Sequence, residues 1–529
     1  MIRTELMVPS SPGAAPGGPR GPDDARSPPR SFPSILPARA PRRSWWGRGR
    51  AGRVRRYHPR VMTAPTTTST APHGAAEKFP PVFWIANVTE LFERAAYYAV
   101  ASFVVIYLGQ LGFGDYWPST LNGSVLWTLI YFLPILSGTI ADQIGYRRAL
   151  LLAGVLLAIG YSLVGAPVWF GGAVLSPTVE KEFTATAGVV VPVVAGLLLI
   201  GIGGSFVKPC ILGTAQKVSG TRATLAFAIF YMVVNIGSLV GRTVSYFVRT
   251  RVEFSLIFAV AAACSLLAFL MALLFYRDPG TVPGSTAPQK PKRSVGQILL
   301  DMVRVLTNGR FVVFLLVSSG FFFLYNQVYN VLPLYWKRVL ETNPPVDVYT
   351  MANPLVIVCF QLLVTRLFGK IRPIRSIVIG TVIIGLSMAI NLWPIYSEGG
   401  MRREVLGGIP IGSVVIVATV GLIAFGELFT SARMYEYIGG LAPKGQEGLF
   451  LGYANLPLAI GSLVGGPVGA AIFNEVICKG ATKLPNGLLE LDPAAAARGW
   501  VILMLIGFAS ALAIWVFNVW LERQERAAA

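Results

Sequence analysis

The sequence predicts an all-α membrane protein of twelve transmembrane helices in two six-helix halves. Three observations predict it. Hydrophobic residues make up 54% of the 529-residue chain and charged residues only 13%, whereas soluble proteins carry roughly 25% charged residues. Mean hydropathy is +0.60. Apolar runs long enough to cross a bilayer recur along most of the length, and one polar, proline-rich interruption divides them evenly.

Residues 1–80 come first and differ from the rest. They hold fourteen Lys/Arg against four acids, which is half of the formal +20. The segment is rich in Pro, Gly, Ser and Arg, cannot bury a core and is expected to be disordered. It reads as a bare extension or as a basic arm for anionic lipid or nucleic acid. A third reading starts translation at Met62, because MTAPTTTSTAPHG reads as an ordinary short N-terminus. No apolar stretch follows the basic residues as in a secretory signal.

Six spans are expected at about 82–109, 120–141, 147–170, 187–214, 222–248 and 253–276. Six more follow at about 310–336, 347–369, 373–394, 410–438, 447–474 and 498–521. Each has the roughly 20 residues that a helix needs to cross the hydrocarbon. Residues 81–276 and 310–529 are thus the two bundles and 277–309 the linker. Within the linker, SVGQILLDMVRVL has the pattern of a short surface helix. Loop charge sets the orientation. Arg147/Arg148, Lys217/Arg222, Lys290–Arg293 and Lys370/Arg372/Arg375 fall on one side, expected to be cytoplasmic together with both termini. Arg249/Arg251, Lys337/Arg338, Arg402/Arg403 and Lys479/Lys483 on the other side weaken that bias.

Charge inside the spans is scarce and therefore informative. A mid-bilayer charge costs about 2.5–3.5 kcal/mol on insertion scales. An apolar residue returns only about 0.3–0.6 kcal/mol. The first helix nevertheless holds Glu90, Glu93 and Arg94, and with Tyr97 and Tyr98 they follow i, i+3, i+4, i+7, i+8, one helical face. Such a stripe must face protein or water. It reads as a transport pathway or as an inert staple between helices. Lys208, Arg242 and Glu427 are the other deep charges, and Arg242 reads most simply as pairing or snorkelling, with a substrate role as the alternative. Tyr335 and Trp336 near a helix end read as interface anchors. Asn326 and Gln327 read as interhelical hydrogen-bonders.

Both histidines, His58 and His73, lie in the tail, so histidine chemistry in the membrane is excluded. If protons are carried, Glu90, Glu93 and Glu427 must carry them. The cysteines 210, 264, 359 and 478 form no metal pattern and read as packing residues. No nucleophile–base pair or metal set is visible. Neither an enzyme activity, a metal nor a cofactor is expected.

After the second span, Gly138-Thr-Ile-Ala-Asp142-Gln-Ile-Gly145-Tyr-Arg147-Arg148 resembles the G-x-x-x-D-(R/K)-x-G-x-(R/K)-(R/K) loop of the major facilitator superfamily. Gln143 departs from the usual basic residue. That resemblance implies the major facilitator fold, two related halves with a site between them. Five further segments resemble the proton-dependent oligopeptide transporter family. Glu90-Leu-Phe-Glu93-Arg94 with Tyr97-Tyr98 is similar to E-x-x-E-R-F-x-Y-Y, and GIGGSFVKPC to the helix 4 segment G-x-G-G-x-K-P. Phe230-Tyr231 through Asn235-Ile-Gly237-Ser238-Leu239 is similar to F-Y-x-x-I-N-x-G-S-L, and Asn353-Pro354-Leu355 and Gly426-Glu427-Leu428 also match.

The resemblance implies proton-coupled symport of di- or tripeptides or related small zwitterions by alternating access. It assigns proton coupling to Glu90, Glu93, Arg94 and Lys208. It assigns the peptide amino end to Asn235, Asn353 and Glu427, and the pocket lining to Tyr97, Tyr98 and Tyr131, with Ser431 retained beside Glu427. Expected partners are a small-molecule substrate, protons and the lipid bilayer of the plasma or inner membrane. No nucleic acid is expected, and the chain is expected to be monomeric.

Two departures stand together. The family's second arginine, seven residues after the signature one, is Ala101 here, and the helix 7 acid that pairs with it is Asn326. Losing one partner strands a buried charge, while losing both need not. The departure favours an alternative, a carrier of another organic anion or drug-like solute, with antiport included. A receptor or scaffold that uses the basic tail is the alternative from outside transport.

Overall fold

The computed structural model describes residues 78–528, apart from 180, 280–295, 298–299, 301–302, 304–305, 406 and 442–452. The basic tail, Met62 and most of SVGQILLDMVRVL lie outside the described residues. Ten described helices are each long and apolar enough to cross a membrane, and two bent pairs bring the number to twelve.

In chain order, α1 is Pro81–Val100 with Val104–Gln110, and α2 is Trp117–Phe132 with Pro134–Ile144. They are followed by α3 Tyr146–Trp169, α4 Ala187–Val218, α5 Leu225–Arg251 and α6 Phe254–Leu274. The second half comprises α7 Gly309–Leu340, α8 Val346–Phe368, α9 Pro373–Tyr396, α10 Ile411–Ile438, α11 Tyr453–Ile477 and α12 Pro493–Gln524. We call the end where α1 starts proximal and the other end distal. Two short antiparallel hairpins sit distally: β1 Glu404–Val405 with β2 Ile409–Pro410, and β3 Thr482–Lys483 with β4 Leu489–Glu490.

The helix neighbours repeat with a step of six. α1 packs on α5 as α7 does on α11, α3 on α4 as α9 on α10, and α3 on α6 as α9 on α12. Equivalent packing in both halves is the structural form of an internal repeat. Between the halves, α2 lies against α11 and α5 against α8.

Small residues allow the α2–α11 crossing. A Cβ added to Gly123 would stand 2.8 Å from the Gly466 backbone. The bend in α2 has a local cause. α2 turns by 41° at Pro134, whose ring removes a backbone donor, and its Leu121–Trp127 segment is a π-helix. α1 bends by 44° across residues 101–103. α7 passes through a 3₁₀ turn at Gln327–Tyr329, tighter than α-helix and a common mark of a hinge. These irregular stretches lie where the two halves meet.

Candidate functional site

The stripe on α1 folds into one compact triad. Arg94 Nε donates to Glu93 Oε2 at 2.6 Å, its Nη2 lies 2.5 Å from the same oxygen, and its Nε is 3.3 Å from Glu90 Oε1. All three side chains are buried. Among the described residues neither Glu90 oxygen has a hydrogen-bond partner. One guanidinium thus serves two carboxylates, and Glu93 holds it more closely.

Lys208 reaches in from α4. Its ammonium stands 5.4 Å above the Tyr131 ring, within electrostatic reach of Arg94, Glu90, Glu93 and Glu427. Among the described residues it forms no ion pair. Pro209 follows it inside the helix, and the side chain is only half-buried.

Across the interface, α8 and α10 assemble the opposite charge. Glu427 accepts from Asn353 Nδ2 at 3.4 Å and from Ser431 Oγ at 3.4 Å, and the Tyr325 hydroxyl lies beside it. Asn235 on α5 donates Nδ2 to the Tyr231 carbonyl at 2.9 Å. Tyr231 and Tyr435 remain exposed on the proximal side.

Aromatic rings floor the space between the halves. Trp127 lies 5.6 Å from Tyr131, 6.2 Å from Tyr325 and 4.8 Å from Tyr329. Tyr98 is half-buried, whereas Tyr97 turns into the first bundle and packs on Trp127 at 6.4 Å. The structure therefore brings Glu90, Glu93, Arg94, Lys208, Tyr98 and Tyr131 to one wall, and Asn353, Glu427 and Ser431 to the facing one.

Cross-half bonds gather beyond this floor, toward the distal end. Arg338 Nη1 donates to Asp115 Oδ1 at 2.6 Å and, within its own half, to Asn474 Oδ1 at 3.0 Å. Arg249 Nη2 lies 3.3 Å from Asp347 Oδ1. Ser102 and Thr350 hydroxyls bond at 2.9 Å. Asn122 Nδ2 donates to the Tyr329 carbonyl at 3.0 Å and to Asn330 Oδ1 at 3.1 Å. Tyr116 donates to Glu475. The paired departure is structurally neutral. Ala101 borders a small cavity of about 10 Å³ beside Asn122, and Asn326 Nδ2 donates to Ser462 Oγ at 3.3 Å. No charge is stranded there.

The loop motif sits at the proximal end. Asp142 accepts from the Tyr146 hydroxyl at 2.7 Å, and Gly145 takes φ 91°, a left-handed conformation that favours glycine. A Cβ on Gly138 would meet Pro209 of α4 at 3.2 Å. Arg147 donates its backbone N–H to Asp278 at 2.9 Å and its side chain to the Leu273 carbonyl at 2.7 Å, and Arg148 is exposed.

Three simpler readings of single residues need correction. Tyr335 and Trp336 are not interface anchors: both are buried, against Trp500 at 5.2 Å and Tyr349 at 5.2 Å. Arg242 pairs with no acid among the described residues and does not snorkel. It is fully buried at the seam, with Nε 3.1 Å from Thr350 Oγ1, Nη2 3.2 Å from the Tyr329 hydroxyl, Nη1 on Ser238, and its plane 4.5 Å from the Tyr98 ring centre. Arg249 and Arg338 weakened the loop-charge bias because they serve as cross-half ties. Residues that sequence reasoning passed over are Trp127, Tyr325, Tyr329 and Thr350. The i, i+4 aromatic pairs Trp127/Tyr131 and Tyr325/Tyr329 were the available signal, one on each facing helix.

Proteins similar to this chain include named permeases and transporters. The chain is 24% identical over 445 residues to dipeptide and tripeptide permease A of Escherichia coli strain K12, covering 74% of this chain and 84% of that one. The same-named protein of Edwardsiella piscicida is 22% identical over 490 residues, covering 83% and 93%. Among solved structures, a POT family transporter in complex with 5-aminolevulinic acid superposes with TM-score 0.62 at 21% identity, covering 82% of this chain and 95% of that one. A peptide transporter POT in complex with sulfate gives TM-score 0.63 at 18% identity, covering 84% and 95%. These relatives agree with the resemblance to the proton-dependent oligopeptide transporters. The family model of the Major Facilitator Superfamily matches residues 96–466, and the chain belongs to that superfamily.

Proposed function

We propose that the protein is a proton-coupled symporter of di- or tripeptides or related small zwitterions. The observation that carries this reading is the polarity of the site. One wall offers Arg94 and Lys208 for a carboxylate, and the facing wall offers Glu427, framed by Asn353 and Ser431, for an ammonium. A short zwitterion spans such a pair of walls and draws the halves together. The curated relatives are named as dipeptide and tripeptide permeases, which supports the substrate class.

The proton belongs to the Glu90–Glu93–Arg94 triad. Lys208 nearby offsets the net negative charge of two carboxylates and one guanidinium, and when the substrate's carboxylate takes up Arg94 and Lys208 one added proton keeps the buried cluster neutral. Loading that proton frees Arg94 for the substrate's carboxylate. The described state is tied at the distal end and leaves Tyr231 and Tyr435 exposed proximally. With the proximal end cytoplasmic, as the loop charges suggest, this is the inward-open stage of alternating access. The protein acts as a monomer in the plasma or inner membrane with both termini inside.

Purified protein in proteoliposomes tests the reading. Dipeptide addition should drive proton uptake, and an imposed proton gradient should concentrate dipeptide. Uptake of every dipeptide tried that is indifferent to pH and to the gradient would remove the coupling. The neutral residues at 101 and 326 favour a second reading, a carrier of another organic anion or drug-like solute. A thermal-shift screen against dipeptides, amino acids, nitrate and sugars separates the two by which class stabilises the protein.

A further inference from the structure

Arg242 is the deep charge that the proposed transport cycle leaves unused. It lies on α5, seven residues after Asn235, at the level where α5 crosses α1. A guanidinium sealed between the halves normally has an acid, because an unpaired buried cation costs several kcal/mol. Here every partner is neutral: Ser238 on its own helix, Thr350 and Tyr329 on the second half, and the face of Tyr98. Among the described residues no carboxylate stands within ion-pair distance of it.

We propose that Arg242 captures the substrate's carboxylate when the distal end is open. This rests on the zwitterion reading above and adds to it a second, distal carboxylate contact. Two of its partners, Thr350 and Tyr329, belong to the opposite half, so distal opening withdraws both from the guanidinium at once. Ser238 stays, and the fork is then exposed beside Tyr98 with two edges free. A planar fork of donors matches a carboxylate bidentately. On closure, the hydroxyls of Thr350 and Tyr329 return, and the carboxylate passes toward Lys208 and Arg94. Neutral partners suit such a residue. A resident carboxylate would compete with the cargo, while hydroxyls are displaced at low cost. Arg242 thereby supplies, from another helix, the distal cation that Ala101 does not provide.

The test exploits sidedness. Uptake of Ala-Ala and of its C-terminal amide is measured in intact cells, where substrate enters at the distal end, and in inverted vesicles, where it enters at the proximal end. A hydrogen-bonded charge contact is worth about 1.5–3 kcal/mol, roughly ten- to a hundredfold in KM. Arg242→Gln should raise KM for Ala-Ala by at least about tenfold in cells and flatten its preference over the amide. In inverted vesicles KM should stay unchanged, because Arg242 is sealed in the proximally open state. Arg242→Lys keeps charge without the fork and should fall between. Thr350→Val, which removes a neutral partner and leaves the cation, should keep the preference for the free carboxylate. Retained KM and preference in Arg242→Gln, or equal losses from both faces, would overturn the proposal. A wild-type protein that carries neither compound overturns the zwitterion reading and this inference together. A wild type that carries Ala-Ala, matched by Arg242→Gln in cells, overturns the inference alone.

Discussion

Arg94 is claimed by two carboxylates and satisfies one of them well. Glu93 takes the short contacts at 2.5 and 2.6 Å, while Glu90 is left at 3.3 Å without a hydrogen bond. Glu93→Gln keeps the shape and removes the charge that competes with substrate for the guanidinium. Concentrative uptake should disappear while counterflow exchange survives, as radiolabelled dipeptide in proteoliposomes would report. Undiminished concentrative uptake by this variant would remove Glu93 from the coupling role. At the distal end, Asp115 behaves differently. Burial pushes its carboxyl above the usual carboxylate range, and Arg338 beside it offsets this only in part. The closed gate therefore binds that proton more readily than an open, hydrated one, and acidification favours closure. The effect is complete below the open-state pKa and fades as pH rises through the raised one. Asp115→Asn, which imitates the protonated form, should keep the distal gate closed. Arg338→Gln leaves a buried acid without its cation and should open it. Alkylation rates of a single distal cysteine measure both, and a faster rate in Asp115→Asn than in Arg338→Gln would reverse the assignment.

Helix by helix, the spans were legible because bilayer thickness imposes a length that hydropathy records directly. The α1 stripe was legible because charges in hydrocarbon are too costly to scatter. The irregular segments were not. The π-helix at Leu121–Trp127 and the 3₁₀ turn at Gln327–Tyr329 carry no proline of their own. They lie against the opposite half, where Asn122 meets the Tyr329 carbonyl and Gly123 meets Gly466, and no local pattern encodes such contacts. Arg242 was visible as a charge but not as a tie, because Thr350 and Tyr329 come from distant helices. Tyr335 and Trp336 have the composition of an interfacial belt, and only the neighbouring Trp500 and Tyr349 make them core. The α2–α11 crossing gives the prediction proper to this scale. Gly466→Val places side-chain atoms against the Ser119–Thr120 backbone. Overpacking of this kind costs about 1–3 kcal/mol, and here it penalises only the distally closed state. The variant should unfold at lower temperature in detergent and favour distal opening. Unchanged thermal unfolding together with unchanged distal accessibility would show that α2 and α11 do not need the close approach.

Across the whole molecule, two bundles with matching internal packing meet on α2–α11 and α5–α8, and their distal ties converge on a few side chains. Such a molecule can rock about its central site while each bundle stays intact. A tie that cannot be released should then stop transport without disturbing the site. Ser102 and Thr350 suit this, since their hydroxyl oxygens are 2.9 Å apart on opposite halves. In a background lacking Cys210, Cys264, Cys359 and Cys478, the pair Ser102→Cys and Thr350→Cys should form a disulfide under mild oxidation, as side chains this close permit. The oxidised protein should lose uptake altogether, because it cannot open distally. It should still bind dipeptide from the proximal side, seen as a thermal shift, because Glu427, Lys208 and the α1 triad lie on the open side of the lock. Reduction should restore uptake to the level of the unoxidised double variant, which isolates the crosslink from the loss of the Thr350 hydroxyl. Uptake that continues in the fully crosslinked protein would mean that substrate does not pass between the halves, and would remove alternating access as the mechanism.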